Sequence, residues 1–520
     1  MHRLSASRAS GILLWSLACL KFLFALLVVH PVYELHRDEL LYLAEAQHLA
    51  WGYLEAPPLL SLLAWISDLL GNGELVIRCW PALLGALTFL IAGKMVLRSG
   101  GRNPALFLLF LAFIFSAFLR AHFLFQPNFL DIFFWTLITY WVFCYIRRED
   151  PKFIYLLGIT AGLGLLSKYS VGILLFALAA ALALSRQRKL LAERHAYIAL
   201  IIGFLIFLPN LIWQYQHNFP FMNHMEELHE TQLRHIRPIG FLIDQLLMTL
   251  PVCFIWLAGL WHVLFHPRGN RYRLFGWTFL FVMGLLLLLK GKAYYALGVY
   301  PVLLAIGALR LEEIFRIRPW VRYAGIGFIL LTGIPMIPVL LPIWAPERLA
   351  GYYRFAGLDR TGILQWEDRQ DHDLPQDFAD MLGRKELSRK TAAAFDQIPV
   401  WEQARTVIFC DNYGQAGALN YYGRADLPPA ISASASFLLW IPTYDHIRHL
   451  IWVGDPPPEN AELRHAFEEV RVLDSVTTPM ARESGTRVTW FRNADTSFTG
   501  YFHLEIGKMK QRFSRPGSLL

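Results

Sequence analysis

The chain has 520 residues, 55% of them hydrophobic, 15% aromatic and only 17% charged. So little charge beside so much apolar mass excludes an ordinary soluble globular protein and makes a polytopic membrane protein the default. The formal net charge of +8 does not signal nucleic acid, because the basic residues fall in short clusters between apolar segments, where they carry topology.

The N-terminus MHRLSASRAS, followed by GILLWSLACLKFLFALLVV, has the outline of a signal peptide. No small-x-small cleavage site follows, so it reads as an uncleaved first span. Glu34 to Leu60, ELHRDELLYLAEAQHLAWGYLEAPPLL, comes next. Asp38 and Glu39 open an amphipathic helix in which spacings of three and four put Asp38, Tyr42 and Glu45 on one side. Pro57 and Pro58 stop regular structure just after Glu55. A structured acidic first loop points to chemistry at the membrane surface.

Apolar segments of spanning length lie at roughly 11–31, 75–95, 104–122, 128–146, 153–167, 170–185, 196–214, 240–263, 274–290, 294–311 and 322–344, about eleven in all. With the N-terminus cytoplasmic and the segments alternating, the inside loops gather Arg3 and Arg8, Lys94, Arg98 and Arg102, Arg147, Arg148 and Lys152, Arg186 to Arg194, Arg268 to Arg273 and Arg310 to Arg322. Outside positives are fewer: chiefly Arg37, Arg120, Lys168, Arg234, Arg237, Lys290 and Lys292. The asymmetry predicts an odd number of spans, with the first loop and the C-terminal portion outside.

From Pro346 charged residues rise and long apolar runs vanish. TVIFC (406–410) before DNYGQAGALNYYG reads as strand, turn and helix, and HLIWVG (449–454) before PENAELRHAFEEV reads the same way. The expected architecture is a mainly α polytopic bundle over residues 1–345, with a juxtamembrane first loop at 32–74, and an extracytoplasmic α/β domain over 346–520. NYGQAG lacks the dinucleotide-binding glycine pattern, and no phosphate loop or internal repeat is present. Cys19, Cys79, Cys144, Cys253 and Cys410 are scattered and imply no disulfide framework.

Several of these segments together resemble a known family. HRDELLYLAEAQHLAWGYLEAPPL, QPNFLDIFFW around Asp131, LLSKYSVG around Lys168, KGKAYYALGVYP from Lys290 and NYGQAGALNYYG are similar to elements of the C-type (GT-C) glycosyltransferase superfamily. The likeness is to bacterial members of family 39, related to protein O-mannosyltransferases and lipid A aminoarabinose transferases. It implies a helical membrane bundle in the bacterial inner membrane that takes a sugar from a polyprenyl-phosphate donor and passes it, with inversion, to an extracytoplasmic lipid, protein or glycan acceptor. Where some aminoarabinose transferases carry a phosphate-binding lysine after the acid of the Pro-Pro element, this chain has Ala56.

The chemistry needs a carboxylate for the acceptor hydroxyl and cations for the departing phosphate. Asp38 is the expected activating carboxylate, against the plain alternative of a helix cap. Glu39 either joins it or ties down the loop. Asp131, the further expected catalytic acid against the plain alternative of a cap for the fourth span, lies near a membrane boundary and needs a partner, with Arg37 or Arg120 the obvious candidates. Lys168, Lys290 and Lys292, with Arg37 and Tyr294, are the expected phosphate ligands, against snorkelling lysines and an aromatic belt. No cofactor is required by this reading. Glu55 and His224, in a histidine-rich loop that also holds His217, His229, Glu226 and Glu227, are the candidate ligands if a divalent metal binds. The rival readings are a transporter or flippase of a lipid-linked sugar, whose acids would lie near the bilayer midplane, and a non-catalytic assembly subunit.

Overall fold

The computed structural model describes residues 2–458 and 462–514, so Met1, residues 459–461 and the last six residues of the expected C-terminal domain lie outside the described residues. Helix α1 (His2–Leu27) leads into the first loop, where α2 (Arg37–Glu45), a 3-10 turn at Ala46–His48 and α3 (Leu59–Leu69) precede α4 (Glu74–Arg98). The bundle continues through α5 (Asn103–Ile114), α6 (Phe118–Ala121), α7 (Pro127–Arg148), α8 (Lys152–Leu165), α9 (Val171–Ala183) and α10 (Arg194–Gln216). Later long helices cover Cys253–Phe265, Arg273–Leu288, Tyr300–Ile317 and Pro319–Leu340.

Helices coincide with all eleven expected apolar segments, but not all of them reach across a bilayer alone. Among the described residues seven are long and apolar enough to cross, or up to nine if two bent pairs, Val171–Ala183 with Arg186–Ala192 and Pro238–Leu247 with Leu250–Phe265, each count once. Helices α5 and α8, with 12 and 14 residues, reach only about 18 and 21 Å at ~1.5 Å per residue, short of the ~30 Å hydrocarbon core. The chain is a multi-pass membrane protein whose centre is built from α7 and Ala293–Ile317, each 78% buried over its most apolar stretch, while α10 at 22% and Pro319–Leu340 at 28% keep their apolar faces outward. Leu200, Leu288 and Leu331 are accordingly exposed, as expected of side chains meeting lipid rather than water.

Small residues set the closest approaches. A Cβ on Gly158 of α8 would stand 2.3 Å from the carbonyl oxygen of Ala199 on α10, so these helices pack backbone against backbone.

Residues from Pro346 onward form short helices and a five-stranded sheet, ordered β2-β1-β3-β5-β4. β1 (Thr406–Cys410) lies parallel to β2 (Ile431–Ser432) and β3 (His449–Gly454), whereas β5 (Arg487–Ala494) runs antiparallel to both β3 and β4 (Phe467–Ser475). The strand–turn–helix reading of TVIFC-DNYGQAGALNYYG matches β1 and the helix Tyr413–Tyr422. The second such reading needs correction. Between β3 and β4 only Glu462–His465 is helical among the described residues, and FEEV begins β4, where it pairs with β5.

Candidate active site

The first loop is held in place by Glu39. Its carboxylate is fully buried and accepts from the backbone N–H of His36 at 2.8 Å and of Phe125 at 2.7 Å. The His36 imidazole in turn accepts from the Asp38 N–H at 3.1 Å, closing a capping box at the start of α2. The cap of this helix is therefore His36. Asp38 is the second residue of the helix, and its side chain turns to other partners.

Those partners come from two other parts of the chain. One Asp38 oxygen accepts from the Tyr413 hydroxyl at 2.7 Å, and the other from the Gln126 side-chain amide at 3.0 Å. Tyr413 reaches Asp38 because the helix Tyr413–Tyr422 lies directly on α2. Cβ atoms on Gly414 and Gly417 would each fall 2.9 Å from a Cβ of α2, those of Arg37 and Leu40, which explains the small residues of NYGQAG. Burial pushes the Asp38 carboxyl upward, but the His36 and Arg37 side chains and the Tyr413 hydroxyl outweigh it and hold it below the ordinary value. Asp38 is thus an anchored carboxylate, ionised at neutral pH, with 30% of its side chain still accessible.

Arg37 is engaged by acids: its Nε lies 3.5 Å from Asp38 and 4.0 Å from Asp380, and its guanidinium 3.9 Å from Glu367. Asp380, almost fully buried, also pairs with Arg384 at 3.3 Å and Arg482 at 3.2 Å. Arg120 pairs with Asp377, whose carboxyl is drawn down to about 2 by the Arg120 and His36 side chains despite the opposing cost of burial. The expected pairing of Asp131 with Arg37 or Arg120 is therefore corrected, because both arginines are already neutralised by acids of the C-terminal region that lie far off in sequence.

Asp131, on the second turn of α7 and buried, accepts instead from the Ser170 hydroxyl at 2.8 Å. Its nearest cation is Lys168, in the turn between α8 and α9. Lys168 Nζ donates to Asn128 Oδ1 at 2.7 Å and stands 4.4 Å from the Tyr295 ring centre and 5.6 Å from that of Tyr294. Burial lowers the Lys168 ammonium, Asp131 opposes that, and Lys292 adds a like charge. Burial also lowers Lys292, against the pull of Glu367, Asp38 and Asp377. Lys168 and Lys292 consequently feel one another, and Lys292 feels Asp38, so the two cations and the carboxylate are linked electrostatically.

Lys290 departs from this group. It has a left-handed backbone (φ 51°) and its exposed ammonium lies 3.5 Å from the Arg234 carbonyl. Tyr294 packs edge-on against Tyr295 at 4.8 Å, beside the Lys168 ammonium.

Glu55 accepts from both the N–H and the hydroxyl of Ser436, at 2.5 and 2.7 Å. Glu45, on the same side of α2 as Asp38 and Tyr42, accepts from Ser61. Burial and mutual repulsion raise the Glu45 carboxyl well above its ordinary value, and burial raises that of Glu55. His224, whose imidazole burial lowers, feels Glu227 and Lys292. Among the described residues no group of three or more His, Cys, Asp or Glu side chains is arranged to hold a metal.

Sequence reasoning missed Tyr413, Gln126, Asn128, Ser170 and Asp377. QPNFLD and NYGQAG carried the first three, but only the fold brings 126, 128, 168, 292 and 413 around residue 38.

Comparison with known proteins gives three likenesses. Residues 55–213 match the family described as dolichyl-phosphate-mannose-protein mannosyltransferase. The lipid A galacturonosyltransferase RgtD of Rhizobium johnstonii is 24% identical over 359 residues, which cover 64% of this chain and 71% of that protein. The crystal structure of ArnT from Cupriavidus metallidurans bound to undecaprenyl phosphate superposes with a TM-score of 0.61 at 15% identity, covering 92% of this chain and 97% of that one. Its apo form superposes equally well, with a TM-score of 0.61 at 14% identity, over 93% of this chain and 98% of that one.

Proposed function

We propose that this multi-pass membrane protein is a glycosyltransferase of the GT-C type, related to ArnT and to the O-mannosyltransferases, which transfers a hexose or pentose with inversion from a polyprenyl-phosphate donor to an extracytoplasmic acceptor. The observation that carries the reading is the Asp38 carboxylate, fixed by Tyr413 and Gln126 yet 30% accessible, within electrostatic reach of Lys292, which in turn feels Lys168. An acceptor hydroxyl hydrogen-bonded to Asp38 loses its proton to that carboxylate as its oxygen attacks the anomeric carbon. The bond to the phosphate oxygen breaks, and Lys168 and Lys292 take up the charge of the departing polyprenyl phosphate. The phosphate restores to both lysines the stabilising charge that burial denies them.

Asp131 keeps Lys168 in place, Glu39 keeps α2 in place, and the Tyr294 ring packs beside Lys168. Arg37, already surrounded by acids, orients Asp38 and leaves the phosphate to the lysines. Lys290 faces the outer polar surface and serves at most the approach of the donor. No metal enters these steps. The bound undecaprenyl phosphate of ArnT supports a lipid phosphate as one substrate, and the lipid A specificity in RgtD's name supports a glycolipid acceptor. This reading takes residues 1–345 as the catalytic bundle, with about eleven crossings once the short helices are counted. It takes 346–520 as a domain outside the bacterial inner membrane.

Lipid mass spectrometry on cells with wild-type protein or Asp38→Asn at matched expression tests the proposal. A polyprenyl-phosphate sugar should accumulate only in the mutant, and its mass would identify the donor. An unchanged lipid pool, with donor detectable and the mutant folded, would refute it in favour of transport or assembly.

A further inference from the structure

A cavity of about 300 Å³ lies where the far end of α2 meets the C-terminal domain. It is separate from the Asp38 site: Ala44 forms part of its wall, six residues and so about 9 Å along the helix from Asp38 at ~1.5 Å per residue. The other wall is Thr406 and Val407 at the start of β1, with Asn420, Pro429, Trp440 and Tyr444.

Three features of the lining define what fits. First, none of the residues that border it is Asp, Glu, Lys or Arg. A charged headgroup, phosphate or nucleotide would meet no counter-charge there. Second, aromatic rings supply broad flat faces: His48 stacks on Trp440 at 4.4 Å and 12°, and Tyr444, also in the lining, packs against Phe502 at 6.0 Å. Burial also lowers the His48 imidazole, which keeps this wall neutral. Third, hydrogen-bonding tips remain unspent around the aromatic surface. The Trp440 indole N–H and the Tyr444 hydroxyl have no protein partner among the described residues, and Gln47 makes only one long contact, 3.4 Å to Asp68. Asn420, by contrast, is fully used, holding both backbone groups of Ala430 at 2.7 and 3.0 Å.

Apolar ring faces edged by neutral donors and acceptors match the two-sided chemistry of a pyranose, whose C–H face is apolar and whose rim is hydroxyl. A lipid tail would displace water from those polar tips and offer them no partner in return, at a cost. We infer that the cavity between α2 and the C-terminal domain is a subsite for a neutral sugar ring, with Trp440 and His48 as its platform and Tyr444 and Gln47 as its hydrogen-bonding rim. In the role of holding the distal end of a glycan acceptor the inference rests on the transfer reading. The volume, at the lower end of the ~300–1,000 Å³ of ligand sites, suits a short saccharide terminus.

The test is saturation-transfer NMR on the full chain, purified in a detergent without a sugar headgroup, titrated with maltotriose, mannotriose and chitotriose. At least one trisaccharide should receive saturation from the wild type. Trp440→Ala should weaken that binding about tenfold, and Tyr444→Phe, which removes a hydroxyl and keeps the ring packing, about threefold. Asp38→Asn should bind as the wild type does. No transfer to any of the three sugars, or a titration unchanged in Tyr444→Phe and in a folded Trp440→Ala, would overturn the inference. Sugar binding that persists while the lipid test at Asp38 fails would leave the subsite standing and remove only its acceptor role.

Discussion

Glu39→Gln separates holding the loop from doing chemistry. The Glu39 carboxylate is fully buried, has no cation beside it in an ion pair, and accepts two short hydrogen bonds from backbone N–H groups, His36 at 2.8 Å and Phe125 at 2.7 Å. Glutamine presents an NH2 where one of those oxygens stood. One backbone donor then loses its acceptor and faces another donor inside the protein. A hydrogen bond to a charged group contributes about 1.5–3 kcal/mol, and a stranded buried donor costs about 1–3 kcal/mol, so the expected destabilisation is about 2.5–6 kcal/mol. The assay is thermal unfolding of the purified protein in detergent, with donor consumption measured well below the midpoint. The midpoint should fall clearly, while turnover of the remaining folded protein stays within about threefold of wild type, since no transition-state contact is lost. An unchanged midpoint with turnover reduced about a hundredfold or more would refute this reasoning and make Glu39 a catalytic group.

The other expectations are briefer. Lys168→Met should raise the KM for the polyprenyl-phosphate donor by about tenfold to a hundredfold, whereas Lys290→Met should leave it unchanged; equal effects in a steady-state titration would dissolve the distinction between the two lysines. The Asp377 carboxyl is held at about 2, below its ordinary 3.8, so its pairing with Arg120 stabilises the fold above pH ~4 and is lost as pH falls through ~2. An acid titration followed by near-UV circular dichroism should therefore show less loss of structure between those limits in Arg120→Met than in wild type, and an identical curve would count against the pair. Chelation with EDTA should leave turnover within about twofold. A larger loss restored by a divalent cation would make Glu55 and His224 ligands.

Much of this architecture is legible in one dimension because it rests on local rules. Long apolar runs declare spans, since a backbone in lipid must satisfy its hydrogen bonds within its own helix. The three–four spacing that put Asp38, Tyr42 and Glu45 on one side of α2 is fixed by helical geometry alone, and the structure keeps the three in electrostatic contact. TVIFC and the helix after it follow from β-branched residues and an Asn cap. The strand hidden in FEEV did not, because its pattern of exposed charged residues is that of a helix face, and β4 is set by its pairing with β5.

By itself, then, the sequence determined a multi-pass membrane protein with an acidic first loop and a mixed α/β segment after it, because hydropathy, charge placement and periodicity act over neighbouring residues. Partnership was decided only by the tertiary structure. Asp131 took Ser170 rather than an arginine, Arg37 and Arg120 were claimed by Asp380 and Asp377, and Tyr413, 375 positions away, was brought onto Asp38. A buried charge finds whichever partner the packing brings within a few ångströms, and here two glycines on one helix set how closely Tyr413 approaches α2.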